Sequence, residues 1–393
     1  MIPHWTELPD PFAPERLNDP YPYYRLLREA ARVHVSRSGS HAFARYADCS
    51  AILRDNRWGR DGTEPDATKR VSFARLNPPD HTRLRGLVSK AFTPRHVTEL
   101  GPRIENTVHQ LLDQAEKRGG MEVVEEFAYL LPAAVIRGML GVPDEDAPVF
   151  NEWCADVHRG LDSGWVTGVE VARRAVENRR AALINLRHYM RDLLRRRRMS
   201  PGEDLISRLI EACDDDDRLT NEEIVVTCRM LLVAGFETTV NLISDGTLAL
   251  LRNPDQRAMV TDGTLSGDDW VDELMRYDGP TQIIVVSARE PIEYLGHEYE
   301  AGDAVELMIG SANHDPAVFA DPESLDLKRP HLKQLGFGLG IHYCLGAALA
   351  RLEVRIALSA LFQRAPGLRP AGDIVRRPRV HMRGLDRLPV RWA

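Results

Sequence analysis

The chain has 393 residues, of which 43% are hydrophobic, so it can build one large core, although two or three average domains are equally allowed. The net charge of −7 argues against a general nucleic-acid-binding protein, which normally carries a basic excess. No apolar run approaches a membrane span, residues 1–17 lack a signal peptide and the five cysteines follow no pattern, so we expect a soluble cytoplasmic protein in a reducing compartment.

The sequence predicts a mainly α fold with small β-sheets in a single domain, residues 1–393. β-Branched runs broken by glycine are typical of short strands, and they occur at about 30–47 and about 281–310. Helical periodicity of apolar residues extends over 97–118, 144–160, 168–198, 203–213, 221–252 and 345–363. We therefore expect helix-rich parts at about 80–275 and 345–363, and β-richer parts at about 30–60 and 280–335.

The first motif that can carry chemistry lies at a predicted helix start. The pair Pro78-Pro79 followed by Asp80 indicates the first turn of a helix. His81 and Arg85 then fall four residues apart on one face. Arginine offers a fork of donors that suits carboxylates, so this face can bind an acidic group. The alternative is an ordinary solvated basic face.

A single long helix is predicted further along the chain. Thr220 and Glu223 form a capping box at its start. The helical pattern continues to Leu251, before Asn253-Pro254 stops it. About 30 residues with a rise of about 1.5 Å each span on the order of 45 Å, so this helix must cross the whole domain.

The middle of this helix carries a polar stretch. A glycine, a carboxylate and two threonines follow an apolar run in the segment Ala234-Gly235-Phe236-Glu237-Thr238-Thr239. The hydroxyl of Thr238 can donate a hydrogen bond to the carbonyl of Ala234 and loosen the helix, which would open a local groove. On an isolated helix, the same residues would be ordinary packing and solvated positions.

The next segments add a charged pair and an aliphatic strand. Glu273 and Arg276 form an acid–base pair at i and i+3 on one helix face. Alone, this pair indicates little, because such pairs are common and an exposed one contributes only about 0–1 kcal/mol. The strand segment 281–286 that follows is aliphatic apart from Thr281 and Gln282.

The most informative segment is Phe337-Gly338-Leu339-Gly340-Ile341-His342-Tyr343-Cys344-Leu345-Gly346. Apolar residues recur at helical spacing after Cys344, which places this cysteine at a helix N-terminus. There the unsatisfied N–H groups and the helix dipole favour the thiolate, the form that binds metals. Gly338 and Gly340 allow a tight turn whose amides can point at the sulfur, and Gly346 allows a flat group to approach closely.

Other interpretations of this run are weaker. A lone cysteine is most often a small buried apolar residue, but the glycine spacing around Cys344 favours a metal ligand. A dinucleotide-binding loop would need a third glycine at position 343, which is tyrosine. A zinc site would need further cysteines or histidines at short spacing, whereas the other four cysteines are scattered singly.

The run resembles the heme-binding signature of the cytochrome P450 family, the heme-thiolate monooxygenases, and the three other motifs occur in the order of that family. The resemblance covers nearly the whole chain. It implies a fold in which heme b lies between the long central helix and the cysteine-bearing loop, with Cys344 as the axial ligand of the iron. It further implies that the residues bordering the heme include Phe337, Gly338, Ala234 and Gly346.

The resemblance also assigns roles around the heme. It implies that dioxygen binds over the face opposite the cysteine, where Thr238 and Glu237 are the alcohol and the acid that deliver protons for O–O cleavage. His81, Arg85 and His342 would contact the heme propionates.

The charged pair acquires a structural role in the same way. In the family, the pair that matches Glu273 and Arg276 is buried and is joined by an arginine from a later loop, which here is Arg329. One departure concerns Val286, which stands where family members commonly carry another propionate-binding arginine. Either Arg289 reaches round to that propionate or the propionate is held differently.

The substrate pocket is expected from the resemblance to lie among the loop at about 57–76, the helix pair around 150–185, the stretch 234–239 and the strand 281–286. The strand supplies an aliphatic wall, Ile283, Ile284 and Val285, and one polar side chain, Gln282. Aromatic candidates are Trp165, Phe73 and Phe236. These regions vary most in the family, so the substrate stays open.

The sequence therefore predicts a bacterial-type monooxygenase that uses O₂ and two electrons to hydroxylate or otherwise oxidise a small organic molecule of secondary metabolism. No flavin or nicotinamide motif is present, so the electrons are expected from separate partners, which the resemblance implies are a ferredoxin and its reductase. Arg351 and Arg355 are candidates for a basic docking patch. We expect a monomer that binds neither nucleic acid nor membrane.

Three alternatives remain at this point. The same heme chemistry could perform oxidative coupling or ring closure. Oxidation could be driven by peroxide, although Glu237 and Thr238 favour the reductase-fed route. A non-enzymatic heme sensor is the alternative from a different class, and it would not need a proton-delivery groove.

Overall fold

The computed structural model describes residues 13, 16–60, 72–159, 169–214, 217–265, 267–330, 333–379 and 381–392. The fold of these residues is dominated by helices. In chain order the α-helices are α1 Tyr21–Ala30, α2 Tyr46–Arg54, α3 Asp80–Ala91, α4 Pro94–Glu99, α5 Gly101–Arg118, α6 Leu130–Leu140, α7 Ala147–Arg159, α8 Val169–Met199, α9 Leu205–Glu211, α10 Asn221–Arg252, α11 Pro254–Thr261, α12 Asp269–Asp278, α13 Ile309–Ala312 and α14 Ala347–Arg364.

The strands are short and form several small sheets. They are β1 His34–Val35, β2 His41–Phe43, β3 Trp58–Gly59, β4 Gly120–Glu122, β5 Cys213–Asp214, β6 Asp217–Arg218, β7 Ile283–Ala288, β8 Ile292–Tyr294, β9 His297–Tyr299, β10 Ala304–Met308, β11 Arg369–Pro370, β12 Val375–Arg376, β13 Leu385–Arg387 and β14 Pro389–Arg391. A five-stranded sheet has the order β1-β2-β10-β7-β3, and a three-stranded sheet has the order β11-β14-β4. In the larger sheet, β10 is parallel to β2 and antiparallel to β7.

The predicted fold class, mainly α with small sheets, is confirmed. The sequence prediction was wrong within the β-richer part at 30–60, because residues 46–54 form the helix α2. Two helices of nine and ten residues, α1 and α2, were not predicted, and α6 lies in the predicted helix-rich part at 80–275 but was not identified as a separate helix. A helix this short has only about three turns, so its apolar periodicity is difficult to distinguish from that of irregular chain.

The long helix α10 lies at the centre of the helical core. Its capping box forms as predicted: the Thr220 side chain accepts a hydrogen bond from the N–H of Glu223, and the Glu223 carboxylate accepts one from the N–H of Thr220. The helix has 32 residues, most of them buried, and packs against α6, α8, α12 and α14. None of the described helices is long and apolar enough to cross a membrane.

Candidate active site

Cys344 lies in a short loop between a 3₁₀ turn, Gly340–His342, and the start of α14. Its backbone N–H donates a hydrogen bond of 2.9 Å to the carbonyl of Phe337, which closes the loop on itself. Gly338 and Gly340 have φ angles of +70° and +67°, in the left-handed region that favours glycine. A side chain at Gly340 would also come within 2.6 Å of the carbonyl oxygen of Leu53. The loop therefore depends on both glycines.

Cys344 differs from the other cysteines whose side chains the structure describes. Cys49, Cys154 and Cys228 are buried, whereas the Cys344 side chain is exposed. Burial raises the pKa of Cys154 and that of Cys228 to about 12, which keeps these thiols inert. Cys344 is thus the accessible sulfur of this set.

The electrostatics of Cys344 correct one prediction. The surrounding protein desolvates the sulfur and raises the pKa of Cys344, although the backbone N–H of Gly346 and the charges of Arg85 and Arg351 act in the opposite direction. The N–H of Gly338 is bonded to the carbonyl of Leu335 and does not point at the sulfur. The expectation that the N–H groups and the helix dipole make the thiolate favourable was therefore wrong for the net effect, because desolvation outweighs them. A cation bound to the sulfur would favour the thiolate.

Four basic side chains gather beside this loop. The rings of His81 and His342 lie 4.3 Å apart between centroids, and Arg85 donates to the carbonyl of Tyr343 at 2.5 Å. Both ring nitrogens of His81 and Nε2 of His342 are buried without a hydrogen-bond partner. Desolvation, together with the charges of His81, Arg60 and Arg85, lowers the pKa of His342 to about 3. The two arginines therefore supply the positive charge with which this cluster can bind an anionic group, and the histidines supply hydrogen-bonding nitrogens.

Arg60, the fourth member, was not predicted from the sequence. β3 pairs with β7 in the register Gly59↔Ser287, so one step further places Arg60 opposite Val286. The Arg60 side chain donates to the carbonyl of Val285 at 3.1 Å. Neither the register nor this contact can be seen in the local sequence. One signal could have been used. Val286 stands where an arginine is expected, and Arg60 is an arginine to which the sequence assigned no role.

Asn77 ties Arg60 to the helix of His81. Its side-chain amide accepts from the N–H of Arg60 and donates to the carbonyl of Arg60, at 2.9 and 2.8 Å. The backbone carbonyl of Asn77 accepts the N–H of His81 at 3.0 Å. Arg289, in contrast, donates to the backbone carbonyls of Asn56 and Pro78. The structure therefore places Arg60, and not Arg289, beside the histidines.

The polar stretch of α10 has the hydrogen bonds expected from its sequence. The Thr238 hydroxyl donates to the carbonyl of Ala234 at 2.9 Å, and the Thr239 hydroxyl donates to that of Gly235 at 2.8 Å. Ala234 and Gly235 are exposed although they lie in the middle of a mostly buried helix. The helix stays continuous here, so the expected groove is an uncovered surface and not a break in the helix.

Glu237 is an ion-paired carboxylate, which the sequence did not indicate. It is buried, and Arg379 donates a short hydrogen bond to its Oε1. Arg377 lies 3.6 Å from the same oxygen. Both arginines come from the segment near β12, more than 130 residues away in the chain.

The sequence model of the cytochrome P450 family matches residues 40–263 and 268–365. The chain belongs to the cytochrome P450 family. It is 37% identical over 392 residues to the biotin biosynthesis cytochrome P450 of Bacillus subtilis, covering 96% of this chain and 97% of that protein. It is also 37% identical to the cytochrome P450 monooxygenase PikC of Streptomyces venezuelae, covering 95% and 91% of the two chains.

Solved structures agree with this assignment. The cytochrome P450 PksS of the Bacillus subtilis bacillaene polyketide synthase superposes with a TM-score of 0.87 at 36% identity, covering 97% of this chain and all of that chain. This cytochrome P450 is therefore a heme-thiolate monooxygenase with heme b and a cysteine axial ligand, and it acts on a small molecule with electrons from a redox partner.

The residues of this P450 fit that cofactor. Heme b presents two carboxylates, an iron that takes a sulfur ligand and a flat apolar ring. The structure offers a basic cluster with unpaired nitrogens at His81 and His342, an exposed cysteine and an uncovered helix surface at Ala234. Among the described residues, no group of three or more His, Cys, Asp or Glu could hold a metal ion in another way.

A buried ion-pair cluster of the P450 is centred on Glu273 of α12. Glu273 accepts hydrogen bonds from Nε and Nη2 of Arg276 at 2.7 and 2.8 Å and from Nε of Arg329 at 3.1 Å. It also accepts the N–H of Asp326 at 2.9 Å. The structure thus brings the three predicted residues into one buried cluster.

The two arginines of the predicted docking patch of the P450 form ion pairs with α12. Arg351 is bound to Asp272 by two of its nitrogens, and its guanidinium lies 4.5 Å from the ring centroid of Phe337. Arg355 donates to Asp268. Both charges are thus paired with carboxylates on or next to α12 and link α14 to it, and a role of the two arginines in docking stays a prediction.

The prediction that Gln282 is a polar side chain on the substrate wall was wrong. Gln282 is buried, accepts from the hydroxyl of Tyr24 at 2.9 Å and donates to the carbonyl of Gly279 at 2.8 Å. Ile283 is buried in a small core cluster, so only Ile284 and Val285 are partly exposed. The prediction failed because the start of β7 packs against α1, so Gln282 is bonded to Tyr24 there.

The aromatic candidates of the pocket have separate positions. Phe73 and Phe236 are buried, and Phe236 makes an edge-on contact with Tyr129 at 4.7 Å. Trp165 lies outside the described residues, as do the pocket segments 61–71 and 160–168.

Proposed function

We propose that Cys344 is the axial thiolate of this monooxygenase and that the heme lies between the Cys344 loop and the segment 234–239 of α10. The proposal is supported by one observation above all. The exposed Cys344 lies next to a basic cluster whose buried nitrogens have no partner. Phe337, Gly338, Gly346 and Ala234 border the heme in this arrangement.

The basic cluster holds the heme propionates. His81, Arg85 and His342 supply donors, and Arg60 takes the place of the arginine that Val286 replaces. Charge-assisted hydrogen bonds of this kind contribute about 1.5–3 kcal/mol each, so the loss of one shifts heme affinity measurably. Opposite residues of an antiparallel pair share one face of the sheet, which supports the exchange of roles between the two strands.

In the variant Arg60→Ser, the rate of heme release should rise about tenfold, because one propionate loses a charged donor. The measurement is the rate of heme transfer to excess apomyoglobin, which does not depend on turnover. The double variant Arg60→Ser/Val286→Arg should recover slow release. Arg57→Ser is the control, since Arg57 is exposed and pairs with Asp55. Equal rates for Arg60→Ser and Arg57→Ser would contradict the role of Arg60.

We assign proton delivery to the polar stretch of α10. Bound heme supplies the oxidising chemistry, which inserts one oxygen atom of O₂ into the substrate with two electrons and two protons. Thr238 presents a hydroxyl at the uncovered helix surface and holds a proton there. When its ion pair with Arg379 opens, the Glu237 carboxylate takes up a proton from solvent and passes it to that position, so the arginine restrains the acid between turnovers.

Removal of the Thr238 hydroxyl should separate electron consumption from product formation. In a ferredoxin-fed assay, Thr238→Ala should keep consuming NADH while product falls at least about tenfold and hydrogen peroxide accumulates, because the proton donor is lost. Thr238→Ser should restore coupling. The matched control is Thr239→Ala, which loses the same type of bond one residue away. Full coupling in Thr238→Ala would contradict the assignment.

The remaining assignments complete the proposal. The cluster of Glu273, Arg276 and Arg329 is structural, and residues 1–393 form one domain. The enzyme hydroxylates or otherwise oxidises a secondary-metabolite substrate, takes electrons from a ferredoxin and its reductase, and works as a cytoplasmic monomer. Turnover with a surrogate ferredoxin system, compared with hydrogen peroxide alone, distinguishes this route from peroxide-driven oxidation. The absence of product both with the ferredoxin system and with hydrogen peroxide would contradict the monooxygenase assignment.

A further inference from the structure

A cavity of about 550 Å³ lies between residues 72–75, α8 and α10. Its described lining contains no aspartate or glutamate. The basic residues of the lining are Arg75, Arg179, Arg180, Arg187 and Arg229. Such a lining is unusual in a chain whose net charge is −7. The charged side chains among the described lining residues are therefore all positive.

The α8 side of the cavity is one face of a helix. Its lining residues recur at the spacing i, i+3, i+4, i+7, i+8 and i+11, namely Val176, Arg179, Arg180, Leu183, Ile184 and Arg187. Val176 and Ile184 are about half exposed, at 51% and 48%. Large apolar side chains and arginines thus alternate on a face that leaves both kinds accessible. A ligand for this face must be apolar and anionic at once.

The arginines that line the cavity differ in their hydrogen bonds. Arg187 donates a hydrogen bond to Glu222 at 2.5 Å, so its charge is largely neutralised. Nε of Arg179 is buried and has no hydrogen-bond partner. Buried donors are normally satisfied, and this one therefore points to a missing acceptor. Arg180 lies next to it on the exposed part of the same face.

The opposite side of the cavity belongs to the polar helix of the active site. Met230, Val233 and Ala234 of α10 line it. Ala234 accepts the hydroxyl of Thr238. The cavity therefore runs from a cationic entrance on α8 to the uncovered helix surface at which we place the oxidation.

We propose that the substrate of this enzyme is an amphipathic organic anion, whose carboxylate or phosphate binds Arg179 and Arg180 while its apolar part extends along Leu183 and Val233 to Ala234. This inference rests on the proposed function, because it deepens the description of the same site. The anionic group serves as an anchor and stays unchanged, and the distant apolar part is oxidised.

The test is a spectral titration of the purified heme-loaded enzyme with three probes of equal chain length, dodecanoate, dodecyl phosphate and dodecanol. At least one of the anions should bind about tenfold more tightly than the alcohol, which corresponds to about 1.4 kcal/mol. The phosphate and the carboxylate arms identify which anion is preferred. Calorimetry provides a second measurement for ligands that bind without a spectral change.

Charge reversal at the entrance gives the matched comparison. Arg179→Glu/Arg180→Glu should remove the preference for the anions and leave the affinity for dodecanol unchanged. Arg195→Glu is the control, because Arg195 lies on the same helix, is 75% exposed and does not line the cavity. This control should retain the preference.

Two outcomes would overturn the substrate class. One is equal affinity for the anions and the alcohol, or no binding of any probe by either method. The other is a preference that survives the double charge reversal. All titrations begin with protein whose reduced carbon monoxide complex shows thiolate-ligated heme. Failure of that first measurement counts against the proposed function, whereas failure of the titrations alone counts only against the anionic substrate.

Discussion

Replacement of Glu273 by glutamine is expected to lower the free energy of unfolding by about 3–5 kcal/mol. The carboxylate is fully buried and accepts hydrogen bonds from Arg276, Arg329 and the N–H of Asp326. A neutral amide would leave the guanidinium of Arg276, which is 1% exposed, without its counter-charge. Urea unfolding of the purified protein measures the loss.

The control is an ion pair just before the same helix. Asp268 pairs with Arg355, and both side chains are more than a third exposed, at 39% and 35%. Asp268→Asn should therefore cost no more than about 1 kcal/mol. If Glu273→Gln does not fold, Arg329→Ala removes only one outer partner and should show an intermediate loss. Equal stability of the Asp268, Glu273 and Arg329 variants would contradict a supporting role for the cluster.

Replacement of Cys344 by alanine is expected to abolish monooxygenase activity without unfolding the protein. The side chain is exposed and belongs to none of the hydrophobic clusters, so its loss removes little packing. What is lost is the sulfur ligand, which donates electron density that favours O–O cleavage. Product formation should fall to the background rate. The measurements are substrate turnover and urea unfolding of the heme-free protein.

A buried cysteine supplies the comparison for this variant. Cys228 lies on α10 and its pKa is raised to about 12 by burial. Cys228→Ala should lose some stability, because it leaves a small cavity, and should keep the thiolate-ligated heme. If Cys344→Ala kept activity and Cys228→Ala lost it, the ligand assignment would be reversed.

Features encoded in neighbouring residues could be predicted from the sequence. The capping box of Thr220 and Glu223 needs residues three apart, and the structure contains it. The bond from Thr238 to Ala234 needs residues four apart, and it forms as well. Both follow from helix geometry alone, since i+3 and i+4 neighbours share a face.

Features that depend on distant segments could not be predicted in this way. The pairing of β3 with β7 brings Arg60 opposite Val286 across more than 220 residues of chain. The contacts of Arg379 with Glu237 and of Arg351 with Asp272 arise from packing in the same manner. The sequence showed these arginines only as charges, so it assigned Arg351 to a free surface and left Glu237 without a partner.

The desolvation of Cys344 is a further non-local effect. A helix N-terminus lowers the pKa of a thiol by a local mechanism, and the sequence predicts that part. The surrounding protein partly desolvates the sulfur and raises the pKa of the thiol, which depends on the complete fold. In the proposed arrangement, a metal ion bound to the sulfur would favour the thiolate.

The most direct test of the account is the carbon monoxide difference spectrum of the dithionite-reduced, heme-loaded protein. The account predicts the long-wavelength Soret band of thiolate-ligated heme, and predicts that Cys344→Ala loses this band while Cys228→Ala keeps it. A short-wavelength band in the unaltered protein, or a long-wavelength band that persists in Cys344→Ala, would contradict the assignment of Cys344 as the heme ligand.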